Sequence, residues 1–318
     1  MFVDVNLLGM VRIGIIGSDY YSIQLANLVK GSADAEFVGF YDEERTFQET
    51  GNQPIFKSLE LLLTNVDAIS ISCKSTDFVS KAIQSLKRYK HVLLLEAKCL
   101  KYSEYSQLLK IAEESNTILY PEFEILVPEP VDDLIPADEP VHFIDIKQTF
   151  PISEGICCNG RFSQALLQSV DFAGNLIKAN PKKINAQGWG FSETDTGMIH
   201  AKVDFDNGSS VNILLSNSLS GHRVELVMYS PSQTTQITLI NSELRLCKEL
   251  LSTGQRYMFE KNYGIQDALK SELSMFLSAV QHNFPGLNVM ESRIKSLRTV
   301  HLMQEKINHP TFLNIFYS

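Results

Sequence analysis

The sequence predicts an α/β protein. Its N-terminal half is a doubly wound parallel sheet, and its C-terminal half is an α+β domain with a large open, mainly antiparallel sheet. Three observations carry this. Short apolar runs alternate with helical stripes up to Tyr120, and strands that alternate with helices pair in parallel. Five prolines and several acids then lie between Pro121 and Pro140, a boundary and crossover. Beyond them, short alternating strands follow one another through tight turns, which implies antiparallel pairing.

Val11–Ile16 is almost wholly apolar and ends at Gly17, as expected of a strand buried on both faces. Tyr21, Leu25, Leu28 and Val29 fall on one helical face, which Gly31 closes. Glu36–Tyr41 is the second strand, Leu59–Leu63 a short helix and Ala68–Cys73 the third strand. Phe78, Val79, Ala82, Ile83 and Leu86 form the next helical stripe, and His91–Leu95 is the fourth strand. A helix through Tyr105, Leu108, Leu109 and Ala112 leads to a fifth strand at Thr117–Tyr120.

In the second half, Val141–Phe150 reads as a long strand. A helix from Phe162 runs toward Ile177 and stops near Pro181. Strands are expected at Ile184–Trp189, Met198–Phe205, Ser210–Ser216, Val224–Tyr229 and Gln236–Ile240. Asp206-Asn207-Gly208 is a hairpin signal. Helices through Leu269–Val280 and Ile294–Ile307 close the chain. The expected division is 1–122 and 123–318.

Charge and cysteine content exclude several classes. With 28 Lys+Arg against 37 Asp+Glu, the net charge is −9. That disfavours nucleic acid and anionic membrane surfaces as partners. The 5 cysteines have no regular spacing and no C-x-x-C pair, so neither a disulfide framework nor a structural zinc site is expected, and no metal is assigned. Met1–Met10 lacks the pattern of a signal peptide, and no apolar run is long enough to span a membrane. A reducing, cytoplasmic setting is expected.

Doubly wound sheets bind ligands at the carboxyl ends of their strands. That directs attention to Gly17–Ser22, Asp42, Cys73–Phe78 and Glu96–Lys98. Here the text resembles a known family. "VRIGIIG" at Val11–Gly17, "NVDAISISCKSTDFVSKAIQSLKRYKHVLLLE" at Asn65–Glu96, "VDFDNGSSVNILLS" at Val203–Ser216 and "ELSMFLSAV" at Glu272–Val280 are similar to segments of the glucose–fructose oxidoreductase / inositol dehydrogenase / MocA (Gfo/Idh/MocA) family. The resemblance spans nearly the whole chain. It implies a Rossmann-type domain holding NAD or NADP, and a second domain serving substrate and oligomerisation. It also implies hydride transfer to or from a sugar- or polyol-like substrate.

The chemistry-bearing positions depart from that family's pattern. Its G-x-G-x-x-G loop is here Gly17-Ser18-Asp19-Tyr20-Tyr21-Ser22. Gly17, Ser18 and Ser22 are the candidate phosphate-loop residues. Asp19 replaces the second glycine, and either faces the phosphates or caps the next helix. Asp42 lies where an acid would take the adenosine ribose hydroxyls, favouring NAD over NADP, or is a strand-end turn residue. The family's T-P-x-x-x-H becomes Cys73-Lys74-Ser75-Thr76-Asp77-Phe78. Cys73 borders the cofactor site as a small buried hydrophobe rather than a nucleophile.

The family's E-K-P lysine aligns with Glu96, and a two-residue slip would bring in Lys98 instead. Its general-acid histidine aligns with Asp171, a base if burial raises its pKa and otherwise a helix-surface carboxylate. None of the 7 histidines takes the missing role by position, although His200 and His222 lie in the sheet domain. The catalytic candidates are therefore Lys98, Asp171 and Glu96.

Two readings follow. One is an NAD(P)-dependent oxidoreductase with rearranged chemistry. The alternative is an inactive relative, its cofactor lost, that binds a ligand or a protein. Expected partners are a small molecule in the interdomain cleft and further copies of the chain, as dimer or tetramer. Alternation of Val211, Ile213 and Leu215 suggests an open apolar sheet face for that association.

Overall fold

The computed structural model describes residues 9–43, 53–72, 77–95, 102–121, 126, 139–151, 158–192, 195–218, 221–240, 243–262, 265–282 and 287–307. The first elements are β1 (Val11–Ile16), α1 (Tyr20–Lys30), β2 (Ala35–Tyr41), α2 (Leu59–Asn65) and β3 (Ala68–Ser72). Next come α3 (Phe78–Lys87), β4 (His91–Leu95), α4 (Tyr102–Glu114) and β5 (Leu119–Pro121). They are followed by β6 (Phe143–Pro151), α5 (Cys158–Ile177), β7 (Pro181–Ser192), β8 (Asp195–Phe205), β9 (Ser210–Ser218) and β10 (Arg223–Tyr229). The last described elements are β11 (Gln233–Ile240), β12 (Glu243–Leu250), β13 (Arg256–Asn262), α6 (Ile265–Gln281) and α7 (Leu287–Ile307).

The chain divides into two units. One joins Met1–Glu124 to Ile265–Glu291, and the other joins Ile125–Gly264 to Ser292–Ser318. The division is not the linear one at 122/123, because α6 returns to the first unit. It packs there on α1, and the Phe276 ring meets Tyr120 edge-on at 6.0 Å.

In the first unit, five parallel strands lie in the order β2-β1-β3-β4-β5. The apolar runs are buried as their composition demands: all of β3 is buried, and only Arg12 of β1 is exposed. Gly14 lets α2 lie close on β1, since a Cβ there would meet Leu62 Cδ1 at 2.7 Å. Arg12 and Asp67 pair at the start of the sheet, with Nη2 2.7 Å from Oδ1. The chain leaves β1 toward β2 on one side, then crosses to β3 on the other. The ends of β1 and β3 therefore form the topological switch point, where such sheets bind ligands.

In the second unit, eight strands lie in the order β13-β12-β11-β10-β6-β9-β8-β7. All neighbours are antiparallel except β6 and β9. Gly208, at φ 88°, makes the turn between β8 and β9. The strands β12 and β13 have no counterpart in the sequence reading. One face of the sheet is covered by α5. Gln148 Nε2 reaches the α5 backbone at Ala165 O (3.2 Å), and also Ser169 Oγ (2.9 Å).

Val211, Ile213 and Leu215 lie on this covered face and are fully buried. The expectation that they form an open apolar surface is corrected: the alternation is real, but α5 occupies that side. The opposite face is polar. There His200 Nε2 lies 2.6 Å from Asn212 Oδ1, and Asn212 Nδ2 donates to Asp145 Oδ1 at 2.6 Å. His222 lies beside Phe150, ring centroids 5.2 Å apart. Among the described residues, no helix is long and apolar enough to cross a membrane.

His91 opens β4, where its Nδ1 accepts the Ile118 N–H at 3.0 Å. Burial holds its pKa below the usual 6.5. Only the neutral ring can accept that bond, so the unfolded chain takes up the proton first as pH falls. This contribution is present above about pH 6.5 and is lost progressively below it. Thermal unfolding from about pH 7.5 to 5 is expected to show wild type losing stability faster than His91→Gln. Parallel slopes would contradict the assignment.

Candidate functional site

The turn after β1 is fastened on both sides. Gly17 is buried at φ 106°, a conformation glycine allows, and its N–H donates to Tyr41 O at 3.0 Å. The Ser18 hydroxyl donates to Asp42 Oδ2, at the end of β2. Asp19 points the other way. It is the N-cap of α1, and its Oδ1 accepts the Ser22 N–H at 2.8 Å. Its Oδ2 accepts the hydroxyl of Ser72, the last residue of β3. Of the two roles open to Asp19, the structure has the cap.

That cap is consequential because of where it lies. The N-terminus of a helix has unpaired N–H groups and a partial positive charge, and so attracts anions. In this turn the anion is the protein's own carboxylate. Its bond to Ser72 runs from the β1 end to the β3 end, across the switch point.

Ser22 is wholly buried, and its hydroxyl meets no hydrogen-bond partner among the described residues. Its N–H, not its side chain, serves the turn. Asp42 is half-buried, beside exposed Glu43. The Lys81 ammonium approaches Glu43 to 3.2 Å, although the lysine itself is buried. Sequence reasoning missed both Ser72 and Lys81. Lys81 falls outside the apolar stripe of α3, and Ser72 is one of two serines in its strand with no distinguishing spacing. Only the β1–β3 pairing brings Ser72 to the turn, and only the packing of α3 brings Lys81 to Glu43.

Cys73, Glu96 and Lys98 lie outside the described residues. Asp171 belongs to the second unit, on α5. It is buried, not on the helix surface. The Ser296 hydroxyl, on α7, donates to its Oδ1 at 3.1 Å, and Asn175 Nδ2 donates to its Oδ2 at 3.3 Å. Burial pushes its pKa up, against the opposing pull of Arg293, Ser296 and Asn175. Asp171 thus ties α5 to α7. Among the described residues, no group of three or more His, Cys, Asp or Glu side chains is placed to hold a metal ion.

Comparison with known proteins gives a consistent scaffold. A family model, GFO_IDH_MocA, described as "Oxidoreductase family, NAD-binding Rossmann fold", matches residues 11–123. No curated protein sequence matches. Among solved structures, UDP-N-acetylglucosamine 3-dehydrogenase GnnA from Acidithiobacillus ferrooxidans superposes with a TM-score of 0.75 at 17% identity, over 94% of this chain and 98% of that one. Biliverdin reductase from Synechocystis sp. PCC 6803, in complex with biliverdin and NADP+, gives 0.69 at 17% identity, over 93% and 99%. A 3-ketoreductase from Actinomadura kijaniata, in complex with TDP-benzene and NADP, gives 0.70 at 14% identity, over 94% and 98%. At these identities the likeness establishes the fold.

The residues present fit a nicotinamide dinucleotide at one end only. Asp42, steadied by Ser18, suits a ribose diol. The α1 terminus does not suit a pyrophosphate. A phosphate about 4 Å from the Asp19 carboxylate would be repelled by about 4 kcal/mol at an effective dielectric near 20. The attraction of a helix terminus is only about 0.3–1 kcal/mol. Repulsion wins, and an intact dinucleotide does not fit this turn while Asp19 caps it.

The raised pKa of Asp171 fixes a sign. Between 3.8 and the raised folded value, folding binds a proton, so this group's contribution to stability falls as pH rises through that window. Asp171→Asn removes the buried charge. It is expected to match or exceed wild-type stability at about pH 8, with the gap closing toward pH 4, as read from urea midpoints. A marked loss at pH 8 would show that a charged Asp171 is needed opposite Arg293.

Proposed function

We infer from the match of residues 11–123 to the family model, and from the shared fold, that the chain is a member of the Gfo/Idh/MocA oxidoreductase family. From that premise we propose that it binds a small polar, sugar- or polyol-like ligand on the dehydrogenase scaffold and does not turn over a nicotinamide cofactor. One observation carries this reading: both oxygens of the Asp19 carboxylate are engaged at the switch point, by Ser22 N–H and the Ser72 hydroxyl. Hydride transfer needs a cofactor held in place and a group to move the hydroxyl proton. In the sequence, Glu96 stands at the family's lysine position and Asp171 at its histidine. The ligand class is suggested by a structural neighbour that is a UDP-N-acetylglucosamine 3-dehydrogenase.

Asp42 supports a second reading, an active oxidoreductase. A carboxylate at the end of β2, bonded by Ser18, suits the ribose of NAD and repels the 2′-phosphate of NADP. On that reading Lys98, Asp171 or Glu96 handles the proton.

Isothermal titration with NAD+, NADH, NADP+ and NADPH, at low and moderate salt, separates the two. The proposal expects no saturable binding below about millimolar cofactor. Micromolar binding of one redox pair, together with oxidation of a sugar or polyol, would overturn it in favour of the second reading.

A further inference from the structure

We propose that β13 is an interface between two copies of this chain, pairing antiparallel with itself about a two-fold axis at Met258. The two eight-stranded sheets then join edge to edge. This goes beyond the reading above and is independent of it.

The two edges of the sheet are built differently. An open sheet edge invites another strand, and proline, bulges and lysine discourage it. β7 carries these guards. It opens at Pro181, continues with exposed Lys182 and Lys183, and shifts register against β8 at three places. β13 carries neither a proline nor a register shift. Its seven residues pair in unbroken register with β12, and among the described residues no strand lies on its other side.

Apolar side chains are exposed along this edge: Tyr257 by 50%, Met258 by 75% and Phe259 by 45%. Phe259 also ends a core row. Strand register aligns Ile146, Leu226, Ile237, Leu246 and Phe259 on one face of the sheet. The first four are buried, so the row reaches solvent at Phe259.

The residue order of β13 selects its own copy as the occupant. With the axis at Met258, Arg256 lies opposite Glu260 of the second copy, and Tyr257 lies opposite its Phe259. Symmetry makes each pair twice, and opposite charges and aromatic pairs are what stabilise facing strands. Moving the axis one residue, to Tyr257 or Phe259, sets no opposite charges against each other within β13. Within the chain, Arg256 already meets Glu249 at 3.3 Å, and Glu260 meets Arg245 at 3.4 Å. The axis at Met258 therefore joins two such pairs into one row of alternating charge, Glu249–Arg256 running into Glu260–Arg245 of the copy. Seven residues a side is small against about 20–30 in a standard interface, so a Kd of about 1–100 μM is expected.

Sedimentation equilibrium of the full chain from about 1 to 500 μM spans that range. Wild type is expected to pass from one chain toward two. R256E alone sets like charges across the seam, as does E260R alone. Each is expected to weaken dimerisation about tenfold. An equimolar mixture of the two variants restores opposite charges at both positions. It is expected to associate where neither variant does alone, which also shows that both fold.

Wild type remaining a single chain throughout would overturn the proposal and leave the edge to an extended segment of another protein. Dimerisation equally strong in wild type and both variants would overturn it too, placing the contact on another surface such as the polar sheet face. So would a mixture that associates no better than either variant alone.

Discussion

A single carboxylate at the start of α1 ties the turn after β1 to the end of β3. Asp19 does three things at once: it satisfies the Ser22 N–H, it accepts from Ser72, and it puts a negative charge where the helix would otherwise attract one. An N-cap of this kind is worth about 1 kcal/mol to the helix. The same atoms oppose a phosphate by several times that amount at close range. On the proposed reading, a modest structural gain and the exclusion of a phosphate come from one side chain.

The surrounding scaffold makes that carboxylate decisive. Parallel strands buried on both faces leave their carboxyl ends as the place for function. The order β2-β1-β3-β4-β5 puts the β1 turn between the ends of β2 and β3. Ser18 then reaches β2, and Asp19 reaches β3. Gly17 at positive φ allows the backbone to turn there. The parallel sheet thus presents a helix terminus whose N–H is already bonded by the chain's own carboxylate.

Much of this was legible from residue order. Apolar runs such as Val11–Ile16 and Ala68–Cys73 declare buried parallel strands, and Asp206-Asn207-Gly208 declares a hairpin. Strands β12 and β13 were not legible. Their alternation is short and mixed with charge, and β13 is an edge strand whose Tyr257, Met258 and Phe259 are exposed. The alternation of Val211, Ile213 and Leu215 shows that one sheet face is apolar but not which face a helix covers. The two readings of Asp19 were visible in sequence, but the choice between them depends on Ser72, 53 residues away and brought close only by the β1–β3 pairing. Asp171 is a similar case, since its burial depends on α7, 125 residues further along at Ser296.

On the proposed reading, Asp19 holds the α1 terminus against a ligand phosphate. The most direct measurement is a high-resolution crystal structure of the protein grown with millimolar NAD+. The account predicts Asp19 Oδ1 still within about 3 Å of the Ser22 nitrogen, with no phosphate at the helix end. A pyrophosphate bonded to the Ser22 N–H, with Asp19 rotated away from Ser72, would contradict it.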